Sequence, residues 1–168
     1  MPSVRGVLLV AAVLAQISVA RADPVDDCNS VGDMQRQLRG CTAYINTENV
    51  AAANLATAYI NRANVYAQQR QPRLAIDDYA AAMALDAGNP LAPYNRGNLY
   101  FDMQRYDLAV ADYTRAIELD SSFGLAFLNR GSAYAKQGNA KAAAADYAHA
   151  TKLDATLVMQ VQKRLRVR

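Results

Sequence analysis

Few side chains in this 168-residue chain could do chemistry. There are two cysteines, one histidine, ten tyrosines, and an Asn-Arg pair that occurs three times, at Asn61-Arg62, Asn95-Arg96 and Asn129-Arg130. Redox or metal chemistry at Cys28 and Cys41 would ask for a Cys-x-x-Cys spacing or a histidine partner. The two sit thirteen positions apart, and the lone histidine, His149, has no carboxylate or cysteine at a ligand spacing. There is no Gly-rich phosphate loop and no Gly-x-Ser-x-Gly, and no paired-carboxylate cleft is visible. An enzyme is therefore not expected, and neither a cofactor nor a metal is implied. Ten tyrosines without a tryptophan would suit a stacking platform for sugars or bases, but their spacing points to packing instead.

That spacing is thirty-four residues. Asn61-Arg62-Ala63, Asn95-Arg96-Gly97 and Asn129-Arg130-Gly131 are each followed at the same offsets by Tyr66, Tyr100 and Tyr134, then Asp78-Tyr79, Asp112-Tyr113 and Asp146-Tyr147, then Leu85-Asp86, Leu119-Asp120 and Leu153-Asp154. A fixed period in this range marks a stacked helical array, in which one helix pair cannot bury its own apolar face and the next pair covers it. Small residues such as Ala75, Ala109 and Ala143 fall where antiparallel helices approach closely, and six tyrosines fall where the groove needs a filler. In the middle unit Asn95, Asn98 and Asp102 form a polar stripe, while Leu99, Met103, Leu108, Ala109, Ala116 and Leu119 supply apolar faces. Arg62 with Asp78, and its counterparts one and two periods on, fit one ion pair per repeat; ligand binding is the other use open to these arginines.

The middle unit, Pro90 to Phe123, resembles the tetratricopeptide repeat (TPR) family, with Gly97, Tyr100, Ala109, Tyr113, Ala116 and Leu119 on its signature positions. The resemblance spans residues 56 to about 156. It implies an all-α, right-handed superhelical α-solenoid of stacked antiparallel helix pairs, with repeats at 56–89, 90–123 and 124–157. Ala87, Ser121 and Ala155 stand where the family often has a helix-stopping proline.

The ends of the chain read differently. Residues 1–22 have the form of a signal peptide: Arg5, an uncharged run from Gly6 to Ala20, and Ala20-Arg21-Ala22 for cleavage after Ala22. The run falls short of the ~20 apolar residues of a spanning helix, so stable membrane insertion is not expected and a periplasmic or secreted protein is. Removing residues 1–22 takes Arg5 and Arg21 away and leaves sixteen basic against fifteen acidic side chains; four of the basic ones are Lys163, Arg164, Arg166 and Arg168 in the tail. A body without a concentrated basic face is not a nucleic-acid binder. In an oxidising compartment Cys28 and Cys41 are expected to form a disulfide, joining an extended segment to a helix from about Asp33 to Asn46 and contributing roughly 3 kcal/mol. Residues 23–55 then form a capping segment, with Gly40 to Asn46 laid over Asp112 to Glu118 as a degenerate second half-repeat. Residues 156–168 form a terminal helix and basic tail, with Leu157, Val158, Val161 and Leu165 inward and the basic residues outward.

Helical-repeat arrays curve and offer the first helix of each pair to a partner. In this register that face carries Ile60, Asn61 and Asn64, with Thr57 and Gln68 beside them. The second repeat adds Leu91, Tyr94, Asn95, Asn98, Phe101 and Asp102, and the third Leu125, Leu128, Asn129, Ser132 and Lys136. Asn61, Asn95 and Asn129 each offer a donor and an acceptor suited to a peptide backbone; the same groups suit bridging between helices, and both uses stay open. Some TPR domains that serve as chaperone adaptors hold a C-terminal carboxylate in a clamp of Lys, Arg and Asn. This chain keeps the clamp's Asn at Asn64 and Asn95 but has Ile60, Leu125 and Asn129 at its basic positions, which leaves a free carboxylate no cation. The expected function is a non-enzymatic scaffold that binds a protein or peptide segment in the groove. The alternative is a structural subunit that self-assembles through its end helices into a homo-oligomer.

Overall fold

The computed structural model of the protein describes residues 23–166; the expected signal peptide at 1–22 and the last two residues of the tail lie outside them. Nine α-helices run through the described residues without a strand: α1 (Pro24–Cys28), α2 (Met34–Ile45), α3 (Ala52–Gln68), α4 (Pro72–Leu85), α5 (Leu91–Asp102), α6 (Tyr106–Leu119), α7 (Gly124–Lys136), α8 (Ala140–Leu153) and α9 (Val158–Arg166). Consecutive helices pack against each other along the chain, and α3, α5 and α7 also touch in series, so the first helices of the pairs stack into one layer. None of these helices is long and apolar enough to cross a membrane.

Each hairpin turns the same way. Arg70, Gln104 and Gly138, one period apart, adopt the left-handed conformation just past the first helix. The next amide closes a six-to-one bond: Gln71 N–H to Tyr66 O, Arg105 N–H to Tyr100 O, and Asn139 N–H to Tyr134 O, at 2.8–2.9 Å. Only the third repeat places a glycine where that conformation carries no steric cost.

The seam between paired helices is made of small residues. Ala63, Ala75, Ala92, Ala109, Ala116, Ala126, Ala133 and Ala150 are almost completely buried, and Tyr79, Tyr113 and Tyr147 fill the space between them. A methyl group on Gly97 would come within 2.8 Å of the Tyr113 ring, and one on Gly131 within 2.9 Å of the Tyr147 ring. Tyr66, Tyr100 and Tyr134 are only half-buried; each lies beside the arginine of its own repeat, with the guanidinium carbons of Arg62, Arg96 and Arg130 5.8–5.9 Å from the ring centres. Three residues of the expected apolar faces are not buried, although Leu99, Ala109 and Ala116 pack as expected. Met103, Leu108 and Leu119 are each more than a third exposed; Met103 caps α5, and Leu108 and Leu119 lie in the first and last turns of α6.

At the amino end Cys28 and Cys41 are bonded, with their Cα atoms 4.3 Å apart and both side chains buried beside Ala58. Cys28 lies in the short helix α1 rather than in an extended segment, because Pro24 opens the turn and the Asp23 carboxylate accepts the Val25 N–H at 2.9 Å. Thr42 on α2 accepts from Arg62 Nη1, as Thr114 on α6 accepts from Arg130 Nη1, so α2 stands in the place of a second half-repeat. At the carboxyl end a 3-10 turn at Ala155–Leu157 precedes α9. Leu157 and Val161 pack inward, but the turn leaves Val158 more than a third exposed, against expectation; the side chain of Leu165 lies outside the described set.

Candidate functional site: a polar groove closed by the last helix

Three ion pairs fix the repeats internally. Arg62 Nε and Nη2 donate to the two oxygens of Asp78 at 2.7 and 2.8 Å, Arg96 to Asp112 at 2.7 Å each, and Arg130 to Asp146 at 2.8 Å each. All three carboxylates are buried, and the arginine pKa values rise above their ordinary range because the carboxylate hydrogen bond outweighs desolvation. These arginines hold one helix of a pair to the other, and each has its nitrogen fork fully engaged.

The asparagines are bridges on their donor side. Asn95 Nδ2 reaches Asn64 Oδ1 (3.3 Å), and Asn129 Nδ2 reaches Asn98 Oδ1 (2.8 Å) and the Tyr94 hydroxyl (3.0 Å). Asn61 Nδ2 reaches Asn29 Oδ1 (3.2 Å) in the cap. The receiving oxygens also accept the buried tyrosine hydroxyls, Tyr79 to Asn64 (2.6 Å) and Tyr113 to Asn98 (2.8 Å), and Tyr147 donates to Ser132 Oγ (3.3 Å). The links at Asn64 and Asn98 each join a first helix to the next first helix and, through tyrosine, to the second helix behind it. Burial pushes the Tyr79 and Tyr113 hydroxyls well above the usual tyrosine range.

On this polar layer opens a cavity of about 780 Å³, lined by Asn98, Phe101, Asp102, Tyr113, Asn129, Ser132, Ala135, Lys136, Tyr147, Gln160, Lys163 and Arg164. Of the expected groove residues, Asn98, Phe101, Asn129 and Ser132 meet here, with Asp102 and Lys136 beside them. Asn61, Asn64, Leu91, Tyr94, Asn95 and Leu125 are not part of its wall. Tyr94 packs on Phe123 with ring centres 4.6 Å apart, and Leu91 and Leu125 are exposed at the starts of α5 and α7. Ile60 (6 % exposed) and Leu128 (fully buried) are core residues, the first among Ala56, Ala63, Tyr79 and Met83, the second among Phe127, Tyr147 and Leu157. Both positions sit one step round the helix from the polar stripe and are covered by the packed hairpin.

The far wall comes from α9, which the expectation of an outward basic face missed. Arg164 turns into the groove, and its Nη1 donates to Leu128 O (3.2 Å), Asn129 Oδ1 (3.0 Å) and Ser132 Oγ. The signal was in the sequence: 157, 161 and 164 share one helix face, and the first two are Leu and Val. A cation therefore stands on Asn129 after all, which corrects the expectation that a carboxylate here would meet none.

Comparison with known proteins gives the architecture its family. A TPR repeat model matches residues 97–138, and a tetratricopeptide repeat model matches residues 56–89 and 126–157. The chain is 33 % identical to the second TPR of Spaghetti (RPAP3), solved with the HSP90 peptide SRMEEVD, over 59 % of this chain and 92 % of that one, with a TM-score of 0.57. The chain belongs to the tetratricopeptide repeat family. The fold is thus the right-handed superhelical α-solenoid of that family. Similarity extends to the second TPR domain of human RPAP3 in complex with the HSP70 peptide SGPTIEEVD, at 32 % identity over 66 % of this chain and 92 % of that one, TM-score 0.62. MamA shares the fold over a longer span, 84 % of this chain and 80 % of its own, with a TM-score of 0.72 at 19 % identity. No curated protein matches the chain. Among the described residues no cluster of histidine, cysteine and carboxylate could hold a metal ion.

Proposed function

We propose that this tetratricopeptide protein is a non-catalytic interaction module that holds a peptide or protein segment in the groove formed by α5, α7 and α9. One observation carries the reading: the 780 Å³ cavity is open on the face of the first helices and mixes an aromatic floor at Phe101 with polar groups from three helices. The RPAP3 relatives, solved with peptides, support it by kinship. Ile60, Leu125 and Asn129 supply none of the cations of a carboxylate clamp, and the cation that meets Asn129, Arg164, comes from α9 instead; that clamp is not reproduced, and the segment is read as internal rather than a chain terminus. The module acts outside the cytoplasm, in a periplasm or beyond the cell. The Cys28–Cys41 bond suits an oxidising compartment and the leader-like residues 1–22 suit export. The test is capture of partners from an exported-protein fraction by wild type and by Phe101→Glu. Loss of the captured set in the variant is expected, and identical sets at identical yields would sink the groove.

A second reading rests on a separate observation. Both ends of the stack expose apolar side chains, Val31 (97 %) and Met34 at one and Val158 and Met159 (73 %) at the other, which would let copies associate end to end. Light scattering decides it. A concentration-independent monomer removes self-assembly.

A further inference from the structure

Arg164 differs from the three repeat arginines in one respect that points to a ligand. Arg62, Arg96 and Arg130 each close Nε and Nη2 on a carboxylate, and Arg62 and Arg130 give Nη1 to a threonine hydroxyl. Arg164 is held by Nη1 alone, on Leu128 O, Asn129 Oδ1 and Ser132 Oγ. All three acceptors are neutral. Among the described residues its Nε and Nη2 have no partner and it forms no ion pair, although the residue is only partly exposed and lines the cavity. No buried polar side-chain atom in the described chain lacks a partner, so this open edge is reached by solvent, on a residue that lines the cavity. Lys136 and Lys163 stand in the same wall, against one acid, Asp102.

We propose that the open Nε/Nη2 edge of Arg164 receives the carboxylate of an aspartate or glutamate side chain, so that the segment held in the groove is acidic. This rests on the reading of the groove as a peptide site. A guanidinium fork matches a carboxylate with two parallel hydrogen bonds, a geometry this chain already uses once in every repeat. The three acceptors on Nη1 fix the fork before the ligand arrives, and the neighbouring lysines make the wall positive, so the peptide supplies the charge the wall lacks. The helix-borne arginine is therefore a ligand-binding residue, and α9 completes the site as well as capping the stack.

The probe is a short labelled peptide with paired glutamates, blocked at both ends so that no terminal carboxylate is present. Its glutamine isostere and an unblocked version are run beside it. Fluorescence anisotropy gives affinity, and amide chemical shifts give position. The acidic peptide is expected to bind at least about tenfold more tightly than the isostere, to shift Asn98, Asn129 and Ser132, and to weaken as salt rises. Arg164→Gln should remove that preference, and Arg164→Lys should restore charge but only a small part of the affinity. Helical circular dichroism and melting unchanged in both variants separate this from loss of fold. Equal binding of acidic and glutamine peptides at the same residues would overturn the acidic assignment while leaving the groove in place. Binding by the unblocked peptide alone would move the ligand to a chain terminus and overturn the side-chain assignment. No binding by any peptide, or shifts confined to the end helices, would also overturn it, and the partner capture with Phe101→Glu reports on the groove independently.

Discussion

The guanidinium of Arg130 meets the carboxylate of Asp146 through two parallel hydrogen bonds of 2.8 Å, and the same pair recurs sixteen residues apart in all three repeats. Removing one partner leaves a buried charge alone. Asp146→Ala is therefore expected to cost on the order of 3 kcal/mol, while the double variant Arg130→Met/Asp146→Leu costs less than the single one, because it buries no orphan. Urea unfolding of the cycle measures this; additive costs would show that the pair is not coupled.

The glycines at the crossing of paired helices are set by contact. Gly131→Ala would drive a methyl group into the Tyr147 ring, and Gly97→Ala into Tyr113. Each should lose about 1–3 kcal/mol of stability, read as a lower melting temperature with helix content retained. The first repeat already has Ala63 at this place, so Ala63→Gly is the contrasting variant, expected to lose the buried methyl group without relieving a clash.

The period of thirty-four made most of the fold legible, because helix, seam and ion pair all repeat with it and three copies overrule local ambiguity. The site was less legible. Asn98, Asn129 and Ser132 follow from the polar stripe and Phe101 from the same helix face, but Ile60 and Leu128, which the repeat register puts on that face, are core. Arg164 stands one further period of thirty-four after Arg130, but no Asn-Arg pair or following Asp-Tyr pair marks it as a repeat position, and a basic tail reads as a solvated face. The short helix α1 escaped for another reason: five residues carry too little periodicity, and only Asp23-Pro24 marks its start.

Tyr79 and Tyr113 should not ionise in the folded protein at ordinary tyrosine pH. Burial raises both pKa values, so the stability they contribute is complete below the unfolded value of about 10 and falls as pH rises toward the folded value. Absorbance of tyrosinate should thus show a late phase that coincides with loss of helix, and Tyr113→Phe should shrink it. A titration of every tyrosine near pH 10 with helix intact would contradict this.

Reduction of Cys28–Cys41 should loosen the amino end first. The bond joins α1 to α2, and repeat arrays are stabilised chiefly by nearest neighbours, so faster hydrogen exchange is expected in residues 23–46 with the repeats still protected. Loss of protection as far as Leu153 would mean that this cap holds the whole stack.

The central claim is that the groove between α5, α7 and α9 is where a partner segment lies. It is tested most directly by placing a photo-crosslinking amino acid at position 101 in the cavity and, separately, at position 74 on α4 outside it, and mapping the joined peptide by mass spectrometry. A crosslink to one defined partner segment from position 101, absent from position 74, is the predicted result. Equal labelling from both positions, or labelling from position 74 alone, would contradict the account.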